Sequence, residues 1–100
     1  MDATEVTVAE EGAHAFHVEV RDARGHTTHT VEVPAGIAAE LGWAGASEAD
    51  LVRASVAFLL EREPPTSILR RFGLEVIGTY FPEYPGEMRR RAPTTPPSAD

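Results

Sequence analysis

Apolar residues recur at every second position over the first third of the chain. Val6 and Val8, then Phe16, Val18 and Val20, then Val31 and Val33 each keep one parity, the spacing of strands with one face buried. Glu10-Glu11-Gly12 separates the first two runs and Asp22-Ala23-Arg24-Gly25 the next two. Each separator ends on the glycine that a left-handed turn position favours. A one-residue slip would send the apolar set to solvent, so burial restricts the register. The expected pairing sets Val6 opposite Phe16 and Val8 opposite His14. Across the second turn it sets Phe16 opposite Val31, Val18 opposite His29, Val20 opposite Thr27 and Arg21 opposite His26. The expectation is a three-stranded antiparallel meander. Its other face, carrying Glu5, Thr7, His17, Glu19, Arg21, His26, Thr28, Thr30 and Glu32, is expected to be wet.

The remainder reads as helical. Val33-Pro34 ends the third strand, and Ala35 to Leu41 forms a short helix stopped by Gly42. Ser47-Glu48-Ala49-Asp50 resembles a capping box, with Ser47 as N-cap and two carboxylates at the positive helix end. In the helix that follows, to about Arg62, the residues Phe58, Leu51, Ser55, Leu59, Val52, Val56 and Leu60 cover an arc of roughly 200°. Such a helix is buried on two sides, against the sheet and against either the later helices or another subunit. Glu63-Pro64-Pro65 breaks it. Ser67 to Phe72, stopped by Gly73, and Leu74 to Phe81, stopped by Pro82, read as short closing helices, with a strand as the alternative for Leu74-Glu75-Val76-Ile77. The lone Trp43 reads as a core plug. Ile68, Leu69, Phe72, Ile77, Tyr80 and Phe81 read as residues that complete the core rather than line a groove.

From Pro85 to Asp100 the only large apolar side chain is Met88, and four of the eight prolines fall there. Such a stretch cannot offset its ordering entropy. The expected organisation is therefore a single α+β domain over residues 1–84, with one long and two or three short helices on one sheet face, followed by a disordered Pro/Arg-rich tail over 85–100.

Charge and composition narrow the functional classes. The chain has nine Arg, no Lys and sixteen acids, a net charge of −7. Residues 1–63 carry −8 of it and residues 64–100 carry +1. That balance argues against nucleic acid and anionic membrane as partners. No apolar run approaches the 18 or so residues of a membrane span, and the start lacks the basic and apolar flanks of a leader, so a cytoplasmic chain is expected. Cysteine is absent, which excludes disulfides, thiolate catalysis and cysteine zinc sites.

Four histidines, His14, His17, His26 and His29, raise the question of a metal. In the expected register His14 and His29 share the apolar face about 13 Å apart, and His17 and His26 the wet face with the same offset. A metal needs three or four ligand atoms about 2 Å from one centre. No metal or other cofactor is therefore expected within one chain, a site shared between subunits being the exception. No glycine-rich phosphate loop or Gly-x-Ser-x-Gly elbow is present, and no catalytic residues are assigned.

Two local resemblances concern the middle of the chain. Val31-Glu32-Val33-Pro34-Ala35-Gly36-Ile37-Ala38-Ala39-Glu40-Leu41-Gly42 resembles the strand-to-helix corner of swapped-hairpin, AbrB-like proteins. From Thr28 to about Glu61 the order strand, helix, Gly-x-Ser, helix resembles the ribbon-helix-helix family of dimeric DNA-binding regulators and antitoxins. That resemblance implies Thr28 and Thr30 on a groove-reading strand and Ser47 near a backbone phosphate. Glu61 to Phe72, with Tyr80-Phe81-Pro82-Glu83-Tyr84, is similar to the ending of small uncharacterised prokaryotic proteins and implies no activity. Taken together, the expected function is a non-enzymatic accessory or regulatory module acting through protein contacts. The third strand's open edge and the wide apolar arc of the long helix make a homodimer an expected form. The DNA-binding regulator is the alternative.

Overall fold

In the computed structural model, which describes residues 4–93, the period-two segments form β1 (Glu5–Gly12), β2 (Ala15–Asp22) and β3 (Gly25–Glu32). They are followed by α1 (Ile37–Glu40), α2 (Glu48–Leu60), a 3-10 turn (Pro65–Ser67), β4 (Arg71–Gly73), α3 (Leu74–Tyr80) and α4 (Tyr84–Arg91). The sheet order is β1-β2-β3-β4, antiparallel through the first three strands and parallel between β3 and β4. The fold is α+β as expected, with a fourth strand that makes the sheet mixed.

The β2–β3 hairpin keeps the expected register at every position named for it, including Phe16 opposite Val31, Val18 opposite His29 and Arg21 opposite His26. The first hairpin does not. Val6 lies opposite Val20 and Val8 opposite Val18, and the turn falls at Ala13-His14 rather than on Glu10-Glu11-Gly12. The two registers differ by four residues, so both keep Val6 and Val8 on the apolar face, and burial alone cannot separate them. The observed one sets valine against valine and extends β1 to eight residues. An irregularity between Glu10 and Gly12 absorbs the odd residue. His14 takes the left-handed turn position at φ 58, a region histidine tolerates better than most residues. It is therefore exposed, not opposite Val8 on the apolar face.

The expected helix from Ser67 to Phe72 is replaced by the 3-10 turn and β4. Phe72 pairs with Val31 and is buried on the same core. Thr30 to Glu32 presented an unsatisfied backbone edge, and three residues of strand satisfy it. So short a strand carries no alternation that could distinguish it from a helix. Leu74 to Tyr80 is helical, which settles the alternative left open above.

Ser47 caps α2 as expected, its Oγ accepting the Asp50 N–H at 3.0 Å. Leu51, Val52, Ser55, Val56, Phe58 and Leu59 are all buried. One side of α2 covers the sheet; beside it, Phe58 meets the rings of Phe81 and Tyr84 edge-on, at 6.0 and 5.2 Å between centroids. The second apolar side thus faces the closing helices of the same chain. With β4 on the β3 edge, both features that pointed to self-association are satisfied, wholly or in part, within one chain. Gly42, at φ 80, stops α1 where a glycine was expected to.

The boundary at residue 84 moves. Residues 84–91 are α4, with Tyr84 and Met88 fully buried. Trp43, a core residue as expected, donates from Nε1 to the Met88 carbonyl at 2.8 Å. The arginines of the expected tail are bonded to the fold: Arg89 donates to the Glu40 carbonyl, Arg90 to Glu87, and Arg91 to Glu61 and Glu87. Residues 94–100 of the expected tail lie outside the described residues.

Candidate functional site

Directly after β4, with no intervening loop, α3 begins, across from the end of α2. A groove of about 410 Å³ lies between them. Ile68, Phe72 and Ile77, all buried, form its floor, and Leu59 closes it on the α2 side. Leu69 and Tyr80 stand on its rim at 49% and 67% exposure, the two large hydrophobic side chains left in solvent among the described residues. Of the six residues expected only to complete the core, Ile68, Phe72 and Ile77 form the floor, Leu69 and Tyr80 the rim, and Phe81 packs against Phe58. Helical spacing of Val76, Ile77 and Tyr80 in α3, with Phe81 just past its end, shows that stripe in the sequence, but not which part of it stays uncovered.

Glu63, half-buried, is the charged residue in the lining. Among the described residues it has no salt-bridge or hydrogen-bond partner for its carboxylate, whereas neighbouring Glu61 and Glu83 are held by Arg91 and Arg62. Hydrogen bonds from those guanidiniums keep the Glu61 and Glu83 carboxyls below the ordinary range, as Arg90 and Arg91 do for Glu87. Their contribution to α2–α4 packing is present above the ordinary glutamate value and fades as pH falls through their lowered ones. Arg62 also stacks over the Phe58 ring at 3.7 Å.

The histidines are dispersed. His14 Nδ1 lies 2.8 Å from Glu48, His17 is 3.7 Å from Glu11, and His26 is 3.7 Å from Glu19. His29 is 4% exposed, with Nδ1 donating to the Leu69 carbonyl and Nε2 bonded to the Thr27 hydroxyl, both at 2.8 Å. Because the carbonyl can only accept, Nδ1 carries a proton. This chain of bonds ties β3 to the segment entering β4 where the backbone ladder has ended. Of the residues singled out for nucleic acid, Thr28 pairs with Glu19, and Thr30 sits between His17 of β2 and Arg71 of β4. Ser47 is at the start of α2, which packs on the opposite sheet face, so the three do not share a surface.

One buried polar pair joins α2 to α4. Ser55 Oγ and Tyr84 Oη are 2.7 Å apart, both inaccessible to solvent. Burial pushes the Tyr84 phenol up to about 12, with the Ser55 bond acting weakly the other way. A phenol whose folded value exceeds its ordinary 10.0 contributes stability that is complete below pH 10 and is lost as pH rises towards 12. In Tyr80→Phe protein, which keeps one tyrosine, tyrosinate absorbance is expected to rise near pH 12, together with unfolding. A midpoint near 10 in folded protein would contradict this burial.

No helix among the described residues is long and apolar enough to cross a membrane. Comparison with protein-family models, with curated proteins and with solved structures finds no match to this chain.

Proposed function

We propose that the protein is a non-enzymatic accessory or regulatory module whose α2–α3 groove receives an apolar-anchored, basic segment of a partner protein. The observation that carries this is the pairing of uncovered Leu69 and Tyr80 with the unpartnered Glu63 carboxylate at one groove. An aliphatic or aromatic anchor would bury the rim, as an inserted helix or loop does in many grooves. An arginine or lysine beside that anchor would meet Glu63. The occupant is a different protein rather than a second copy, because two chains of charge −7 repel, and because the second apolar side of α2 is covered by the closing helices of the same chain.

Selection from a displayed random-peptide library on the immobilised protein tests this. Enriched sequences should combine a large apolar residue with a nearby Arg or Lys, and a synthetic copy should bind with a Kd of about 1–100 μM. Leu69→Ser and Tyr80→Ser should each weaken it roughly tenfold or more, as truncated anchors do. Glu63→Gln should weaken it less while flattening its salt dependence. Enriched peptides that bind the Leu69→Ser and Tyr80→Ser proteins as well as the parent would place docking elsewhere, and a failure to enrich any peptide would remove the reading.

A further inference from the structure

Arginine supplies all nine of the chain's basic side chains. Seven of them donate from the guanidinium to a carboxylate or carbonyl oxygen of the fold. Arg24 and Arg70 have no such acceptor among the described residues, and both open on the same stretch of surface. Arg24 sits in the β2–β3 turn and Arg70 immediately before β4. Two adjoining recesses of about 190 and 210 Å³ share His26, Thr27 and Pro65; Arg24 lines the first and Arg70 the second.

This is also where the β3 edge is open. Pairing with β4 covers Thr30 to Glu32 only. The Thr30 N–H donates to the Arg70 carbonyl at 2.7 Å, so alternation along the strand turns the Thr28 N–H to the same edge. The Thr28 side chain is exposed beside it. Opposing charge is limited. Asp22 lines the Arg24 recess, its Oδ1 accepting the Arg24 backbone N–H at 2.9 Å, and it is the single carboxylate in either lining. Glu19 stands 3.7 Å from His26 Nε2. Two guanidiniums without acceptors, one in each recess, thus flank an open strand edge that also carries the His26 imidazole, the Thr28 hydroxyl and a free N–H, in an otherwise acidic chain.

We propose that this edge, where the two recesses meet at His26 and Thr27, binds a phosphoryl group, as free phosphate or as a phosphate monoester. A guanidinium fork matches two phosphate oxygens at once, and the pair of arginines supplies the charge that a dianion needs. The edge N–H and the Thr28 hydroxyl would take remaining oxygens. This proposal is independent of the peptide groove, which uses neither arginine.

The test is a titration of the ¹⁵N-labelled full chain with inorganic phosphate, and separately with O-phosphoserine, each against chloride at equal ionic strength. Saturable shifts are expected at the amides of His26 to Thr28 and at the Nε–H groups of Arg24 and Arg70. Arg24→Gln and Arg70→Gln should each weaken binding about tenfold, the size of a lost charge-assisted hydrogen bond. Arg90→Gln, on α4, should leave it unchanged, and Arg70→Gln should leave groove-peptide binding unchanged. Tighter binding of phosphoserine than of phosphate would identify an ester as the better ligand, and the reverse would identify the free anion. Shifts no larger than the chloride control, or saturable binding that survives loss of both arginines, would overturn the proposal.

Discussion

Phe58→Ala is expected to cost about 3–5 kcal/mol, the range for removing a large buried aromatic side chain. In a domain of this size that corresponds to a fall in melting temperature of roughly 15–30 °C. Phe58 is fully buried and stands where three elements meet. Phe81 and Tyr84 approach its ring edge-on from either side of the α3–α4 junction, and Arg62 covers its face. Each aromatic contact of this kind is worth about 0.5–1.5 kcal/mol beyond area burial. Alanine would leave a void beneath Arg62 and remove the surface on which α4 rests. Phe58→Leu keeps much of the volume and should lose far less. Thermal unfolding followed by circular dichroism measures both. A fall of only a few degrees for Phe58→Ala would mean that the closing helices are held from elsewhere, and the two-sided burial of α2 would lose its energetic meaning.

How far the chain's architecture can be read from its residues depends on the range of the interaction that decides each element. The β2–β3 hairpin is legible because its four-residue turn sequence and its alternation agree on one register. The β1–β2 hairpin is not, because its alternatives differ by an even shift and keep the same valines inward; the decision rests on valine packing against valine and on a histidine accepting a left-handed turn position. Both β4 and α4 are decided at long range. β4 exists because β3 had an open backbone edge, and α4 because Glu61, Glu40 and Trp43 supply acceptors and a donor from distant parts of the chain. The groove inherits this difficulty. Its stripe of apolar residues on α3 is visible in the sequence, but its mouth depends on where α3 leaves β4, a strand too short to show in the residue pattern. The unpaired arginines were invisible for a related reason: a cation's lack of partner is known only when every other partner has been placed.

A chain ended after Tyr84 separates the two readings of the C-terminal segment most sharply. A disordered tail could be removed without consequence. The structure instead predicts loss of several kcal/mol, a large fraction of the roughly 5–15 kcal/mol that holds a domain together. Removing α4 beyond Tyr84 takes away the fully buried Met88 and strips Trp43 Nε1 of its acceptor. An unmade hydrogen bond on a buried donor costs about 1–3 kcal/mol. The guanidinium that holds Glu61 also goes, though as an exposed ion pair it contributes little. Met88→Ala isolates the packing component and should cost about 2–5 kcal/mol with the helix still present. Trp43 is the chain's single tryptophan, so its fluorescence reports this contact directly. In the shortened chain its emission should shift to the red even before global unfolding, as the indole becomes hydrated; in Met88→Ala protein the shift should be smaller. An unchanged emission maximum and unfolding midpoint in the shortened chain would show that α4 lies on the domain without supporting it.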